Sequence, residues 1–138
     1  MFWIANFLFI LIAGTNLYGV LAGKAPTVRQ ISTELVGEPG GLDRLRAALT
    51  LAALAQVYLI SLVFPLKALN PSLGLAWAVM MLGSVLESIH TSRKMYTTAA
   101  GASRDVAFPL HDSGYYRAYQ VVFNLATIAV CAYLLFPR

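Results

Sequence analysis

The sequence predicts an all-α integral membrane protein, a four-helix bundle of four transmembrane helices with both termini outside. Three observations predict it. The 138 residues are 59% hydrophobic and only 12% charged, with a mean hydropathy of +0.69, whereas a soluble domain carries about 25% charged residues. Four runs of roughly twenty uncharged residues, enough to cross a hydrocarbon core of about 30 Å, are spaced along the chain. The few charges fall together between those runs. A chain this short has too much surface for so few charges to cover in water. A soluble globular domain, a disordered tail and a disulfide-stapled module are thereby excluded. The runs also lack the apolar–polar alternation of a membrane barrel, which leaves helices as the spanning form.

One domain, residues 1–138, is expected, with spans at about 2–23, 45–66, 71–91 and 115–136 and loops at 24–44 and 92–114. Phe2 to Ala22 is 21 residues without charge; it has no basic segment before it and is longer than a signal-peptide core, so a retained span is expected. Between Pro26 and Val36, the residues Val28, Ile31 and Leu35 recur near helical spacing, which suggests a short helix on the headgroups. Gly37-Glu38-Pro39-Gly40-Gly41 then breaks it. Ala47 to Leu66 is the second uncharged run. Asn70-Pro71-Ser72 reads as a helix start, Asn as cap and Pro at the first helical position, so spans 2 and 3 form an antiparallel hairpin. Span 3 is uncharged from Pro71 to Leu86, with Glu87 at its end. Thr97 to Ser113 has no strong pattern, and Asp112 or Ser113 can cap span 4, uncharged from Ala118 to Phe136.

Orientation follows from Lys and Arg. The two long loops and their flanks hold Lys24, Arg29, Arg44 and Arg46, and then Arg93, Lys94, Arg104 and Arg117; the opposite side holds only Lys67 and Arg138. By the positive-inside rule both long loops are cytoplasmic. Trp3, Tyr115, Tyr116 and Tyr119 suit the aromatic belts. The net charge of +4 sits beside apolar runs, where it contacts anionic headgroups, and with no basic stripe on a soluble module a nucleic-acid partner is not expected. The single cysteine, Cys131, excludes an intrachain disulfide and reads as an apolar filler.

Polar side chains within spans seek protein rather than lipid. In span 4 they form a stripe, Tyr116, Gln120, Asn124, Thr127 and Cys131. Span 1 offers Asn6, Phe9, Ala13, Asn16, Gly19 and Gly23, the last two as a small-xxx-small pair. Span 2 presents a ridge of Ala48, Ala52 and Ala55 with Thr50 and Gln56; span 3 presents Met80, Gly83 or Ser84, Glu87, His90 and Lys94. Packing of these faces explains them simply. Their concentration near the cytoplasmic ends, within about 15 Å at 1.5 Å per residue, also suggests a polar cavity open to that leaflet.

Glu87 and His90 stand on one helical face, and with Arg117 they are the candidate catalytic residues; Arg44, Arg46, Gln120 and Asn124 are the candidate binding residues. Glu-x-x-His is half of a di-iron signature, but no second copy is present, so di-iron is rejected. Glu87, His90 and His111 make a thin zinc set and His90 with His111 a thin haem set, so no metal is expected and no cofactor is identified. The simpler role of Glu87 is pairing with Arg93, Lys94 or Arg117 near the headgroups; a buried Glu87 would serve as general acid or base.

Two functions fit. One is a non-catalytic subunit or assembly factor that docks on a membrane-protein partner or on a second copy of itself, within the lipid bilayer. The other is a lipophile-binding or lipophile-modifying enzyme with a cytoplasmic-side pocket. In that second case the plan resembles the architecture of the membrane-associated eicosanoid and glutathione enzymes, with four spans, outside termini and basic residues opening span 2. That family carries Arg followed by Asn and Glu along helix 2; counting from Arg46, this chain has Thr50 and Ala53. A transporter or channel has no inverted repeat behind it.

Overall fold

The computed structural model describes residues 1–24, 30–31, 34, 39–99 and 114–136. Among them all regular structure is α-helical: α1 (Phe2–Leu21), α2 (Gly41–Ser61), α3 (Val63–Leu69), α4 (Pro71–Ala99) and α5 (Gly114–Leu135). Four stretches are long and apolar enough to cross a membrane, with α2 and α3 together serving as one of them. The predicted all-α class with four membrane-length helices is thus the observed one. Large apolar side chains that water would drive inward stand exposed instead, among them Phe7, Leu11 and Ile12 on α1, Leu51 and Leu54 on α2, and Leu82 and Leu86 on α4. Such a surface suits helices that face lipid.

The chain forms two compact units, one of Met1–Thr27 with Pro109–Arg138 and one of Val28–Phe108. In the first, α1 and α5 run antiparallel, because Arg117 in the first turn of α5 reaches the carbonyl of Leu21 in the last turn of α1. Asn6, Ala13 and Val20 are the buried residues of α1, one every seventh position; Asn124, Thr127, Cys131 and Leu134 are those of α5. The predicted span 4 stripe therefore faces inward. On α1 the seam passes through Leu17, which is half-buried, and leaves Asn16 exposed. Gly23 is no packing residue either. With φ of +68° it ends α1 in a Schellman motif, its N–H donating to Val20 O (3.3 Å) while Lys24 N–H donates to Gly19 O (2.9 Å).

The second unit is a hairpin. Pro39 and Gly40 turn the chain, Gly40 at φ +76°, and α2 starts at Gly41, four residues before the predicted span. Asp43 in its first turn suits the positive end of the helix dipole. Gln30, Ile31 and Glu34 are helical, and Ile31, Leu42 and Leu49 pack on the buried pair Leu45 and Met95. At least Ile31 of the predicted headgroup helix thus turns to protein; Val28 and Leu35 lie outside the described residues, as do His111 and the predicted caps Asp112 and Ser113.

The break between α2 and α3 follows from Pro65. It has no N–H to give Ser61 O, and its ring crowds that carbonyl, so α2 stops at Ser61. The freed carbonyls find other donors: Leu59 O accepts from Leu62 N–H (3.3 Å) and from the indole Nε1 of buried Trp77 (2.8 Å), and Tyr58 O accepts from Ser61 Oγ (2.5 Å). In hydrocarbon such satisfaction is obligatory. Asn70 then caps α4 as predicted, its Oδ1 accepting from the N–H groups of Ser72 (3.1 Å) and Leu73 (3.3 Å). The helix continues eight residues beyond the predicted span, to Ala99.

Candidate functional site

The α2–α4 seam sets the position of every candidate residue in the second unit. Along α4 the inward line is Gly74, Trp77, Met81, Ser84, Thr91 and Met95, all buried, with half-buried Ser88 between. These recur at alternating steps of three and four, the signature of a close antiparallel pair. Facing them on α2 are Leu45, Leu49, Gln56 and Leu59. Gln56 Nε2 donates to Ser84 Oγ (3.0 Å) and Ser88 Oγ (3.3 Å), a polar clasp across the pair. Interhelical bonds of this kind contribute about 0.6 kcal/mol on average in a bilayer.

The face predicted for span 3 is one residue out of phase with this seam. Met80, Gly83, Glu87, His90 and Lys94 each precede a seam residue, so helical spacing places them on the flank beside the interface rather than in it. Two members of the Ala ridge of span 2 are displaced in the same way, Ala48 preceding Leu49 and Ala55 preceding Gln56, while Ala52, exposed, keeps the seam period between Leu49 and Gln56. Arg44 precedes Leu45 and lies on that flank too. In an antiparallel pair, residues preceding the seam on both helices share one side. Small residues (Ala48, Ala55, Gly83) and polar ones (Arg44, Glu87, His90, Lys94) therefore occupy the same flank.

Arg46 follows Leu45 and goes to the opposite flank, where Tyr96 follows Met95. Its Nη2 donates to Tyr96 Oη (2.6 Å), its guanidinium lies 5.6 Å from the ring centroid, and Asp43 is 4.0 Å away. Glu87, half-buried, accepts from the hydroxyl of Thr91 at 2.7 Å, one turn along the same helix. His90 is exposed.

Arg117, Gln120 and Asn124 belong to the first unit. The Arg117 Nη2 group donates to Leu21 O at 3.3 Å, so its positive charge meets the negative end of α1. Lys24, whose Nζ lies 5.7 Å from the Tyr18 ring centroid, stands at the same helix end. Asn124, buried, donates through Nδ2 to Gln120 O (2.8 Å), and Thr127 bonds Phe123 O (2.8 Å). Tyr116, Tyr119 and Phe123 stack in succession at 5.9 and 6.0 Å.

Sequence reasoning missed Tyr96 and Trp77. Both were legible in principle, since Trp77, Met81, Ser84, Ser88, Thr91 and Met95 carry the seam period, but polarity drew attention to the neighbouring face. Among the described residues no three His, Cys, Asp or Glu side chains gather as a ligand set. The chain matches no protein-family model, and no curated protein or solved structure is significantly similar to it.

Proposed function

We propose that this protein is a non-catalytic subunit or assembly factor of a membrane complex, docking a partner's transmembrane helix on the small-residue flank of the α2–α4 pair. The observation that carries the reading is how the polar side chains are used. Gln56 joins α2 to α4, Trp77 closes the α2 break, Glu87 bonds Thr91, Arg117 caps α1 and Asn124 bonds its own helix. Each of these bonds secures a helix or a helix pair within its own unit. Exposed Ala48 and Gly83 supply the close-approach surface that helix association in lipid requires. With eight of the ten Lys and Arg on the long-loop side, those loops are cytoplasmic and the termini outside.

The sharing of one flank by Arg44, Glu87 and His90 supports a second reading, a binding site for a lipophile with a polar group. Purification of the intact chain in mild detergent separates the two. A stoichiometric membrane protein, or a second copy, that is lost in Ala48→Leu and Gly83→Leu supports the subunit. A small molecule that is lost in Glu87→Gln, with no protein partner, supports the pocket and overturns the subunit.

A further inference from the structure

The flank opposite the Ala ridge carries a different arrangement. Arg46 is pinned on Tyr96 by a hydrogen bond and a ring contact at once, yet its side chain is 62% exposed. The phenol fixes one edge of the guanidinium, and the planar group keeps further N–H donors for a second partner. One turn before Tyr96 on the same helix stands Arg93, also exposed. Its backbone carbonyl is taken by Thr97 Oγ1 at 2.9 Å, so the helix is intact at this level. Two cations and a phenol, with Asp43 4.0 Å from Arg46, thus stand at the loop-side end of two membrane-length helices, where lipid headgroups lie.

Below them the flank turns apolar. Arg46 is followed on α2 by Thr50, Ala53 and Val57, and Tyr96 is preceded on α4 by Ser92, Ile89 and Val85, at matching steps of four, three and four. Val57 and Ile89 are 64% and 49% exposed. Thr50 gives its hydroxyl to Arg46 O (2.8 Å), which leaves its methyl group for the surface. The result is an apolar furrow that leads away from a cationic head. The other flank also has cations, Arg44 and Lys94, but Glu87 lies in the path beneath them.

We propose that Arg46, Arg93 and Tyr96 form a site for the phosphate of an anionic glycerophospholipid, one acyl chain of which lies along the Ala53, Val57, Val85 and Ile89 furrow. Charge-assisted hydrogen bonds from a preorganised guanidinium supply the affinity, and the furrow selects a lipid over a free anion. The site is independent of whether the chain is a subunit or a lipophile-binding protein.

The test is native mass spectrometry of the full chain in neutral detergent, titrated with dioleoylphosphatidylglycerol, with dioleoylphosphatidylcholine and with inorganic phosphate. Phosphatidylglycerol is expected to bind about tenfold or more tighter than phosphatidylcholine, and millimolar phosphate to leave it bound. Arg46→Ala is expected to remove most of that preference, Arg93→Gln part of it, and Tyr96→Phe, which frees the guanidinium but keeps the ring, a few-fold. Lys67→Gln, beside the α3–α4 turn, retains it. Should Arg46→Ala fail to fold, exposed Arg93→Gln carries the test. Equal binding of the two lipids, wild-type preference in Arg93→Gln and in any folded Arg46→Ala, or full displacement by phosphate would each overturn the proposal.

Discussion

At Gly74 the missing methyl group decides how closely the hairpin closes. A Cβ there would lie 2.7 Å from Lys67 Cα and 2.8 Å from Lys67 N; the obstacle is backbone, which cannot swing aside. Gly74→Ala is therefore expected to lower stability by about 1–3 kcal/mol, seen as a reduced thermal midpoint in detergent. Gly83 is the control. Nothing lies within 4 Å of its Cβ position, so Gly83→Ala raises helix propensity and is expected to stabilise by about 0.5–1 kcal/mol. At the end of α1, Arg117→Gln removes the cation from Leu21 O, with an expected loss of about 0.3–1 kcal/mol and unchanged helical content by circular dichroism. The difference in legibility among these residues is physical. Asn70 announces its cap to the residues that follow it, whereas Gly74 answers to Lys67 across a turn and Arg117 to Leu21 at the far end of the chain.

Among the elements, the α2–α4 pair shows what periodicity reveals and what polarity obscures. The four spans, the Asn70-Pro71 start and the inward stripe of α5 are local patterns and are found, although α2 starts four residues before the predicted span and α4 ends eight residues beyond it. The inward face of α4 is displaced, because Glu87, His90 and Lys94 drew the reading one residue, or 100°, around the helix. Near a helix end such groups reach water and need not turn inward. The break at Leu62 was missed because Pro65 lies near the end of an uncharged run, where a proline also reads as a span terminus. Its repair by Trp77 is testable. Trp77→Phe keeps the ring but leaves Leu59 O with one donor fewer in an apolar setting, and is expected to cost about 1–3 kcal/mol in unfolding measurements. A double-mutant cycle of Gln56→Leu with Ser84→Ala should give a coupling of about 0.6 kcal/mol, and no more than about 1.7.

For the whole molecule, the distribution of charge is the organising feature. Only Lys67 and Arg138 of the ten cations lie opposite the long-loop side, and that side also carries Arg44 with Lys94 on one flank of the hairpin and Arg46 with Arg93 and Tyr96 on the other. The first flank, lined by small residues, is suited to another helix; the second, apolar below its cations, is suited to a lipid. Of the residues read from the sequence as a pocket, those of the hairpin fall on two flanks. Arg44, Glu87 and His90 share a flank and Arg46 turns to the opposite one; in the other unit Arg117 bonds Leu21 O of α1 and Asn124 bonds Gln120 O of its own helix. None of that division is visible in composition, because it depends on which residue of each turn enters the seam. Sidedness has its own check: with Cys131 replaced by Ala, a cysteine at Lys67 is expected to react with an impermeant thiol reagent from outside intact cells, and one at Arg93 only after permeabilisation. The most direct measurement of the central claim is the mass of the particle purified in mild detergent. The account predicts a complex heavier than the 15.0 kDa chain, which Ala48→Leu with Gly83→Leu dissociates while helical content is kept. A particle that holds one chain and no other protein, unchanged by those substitutions, would contradict it.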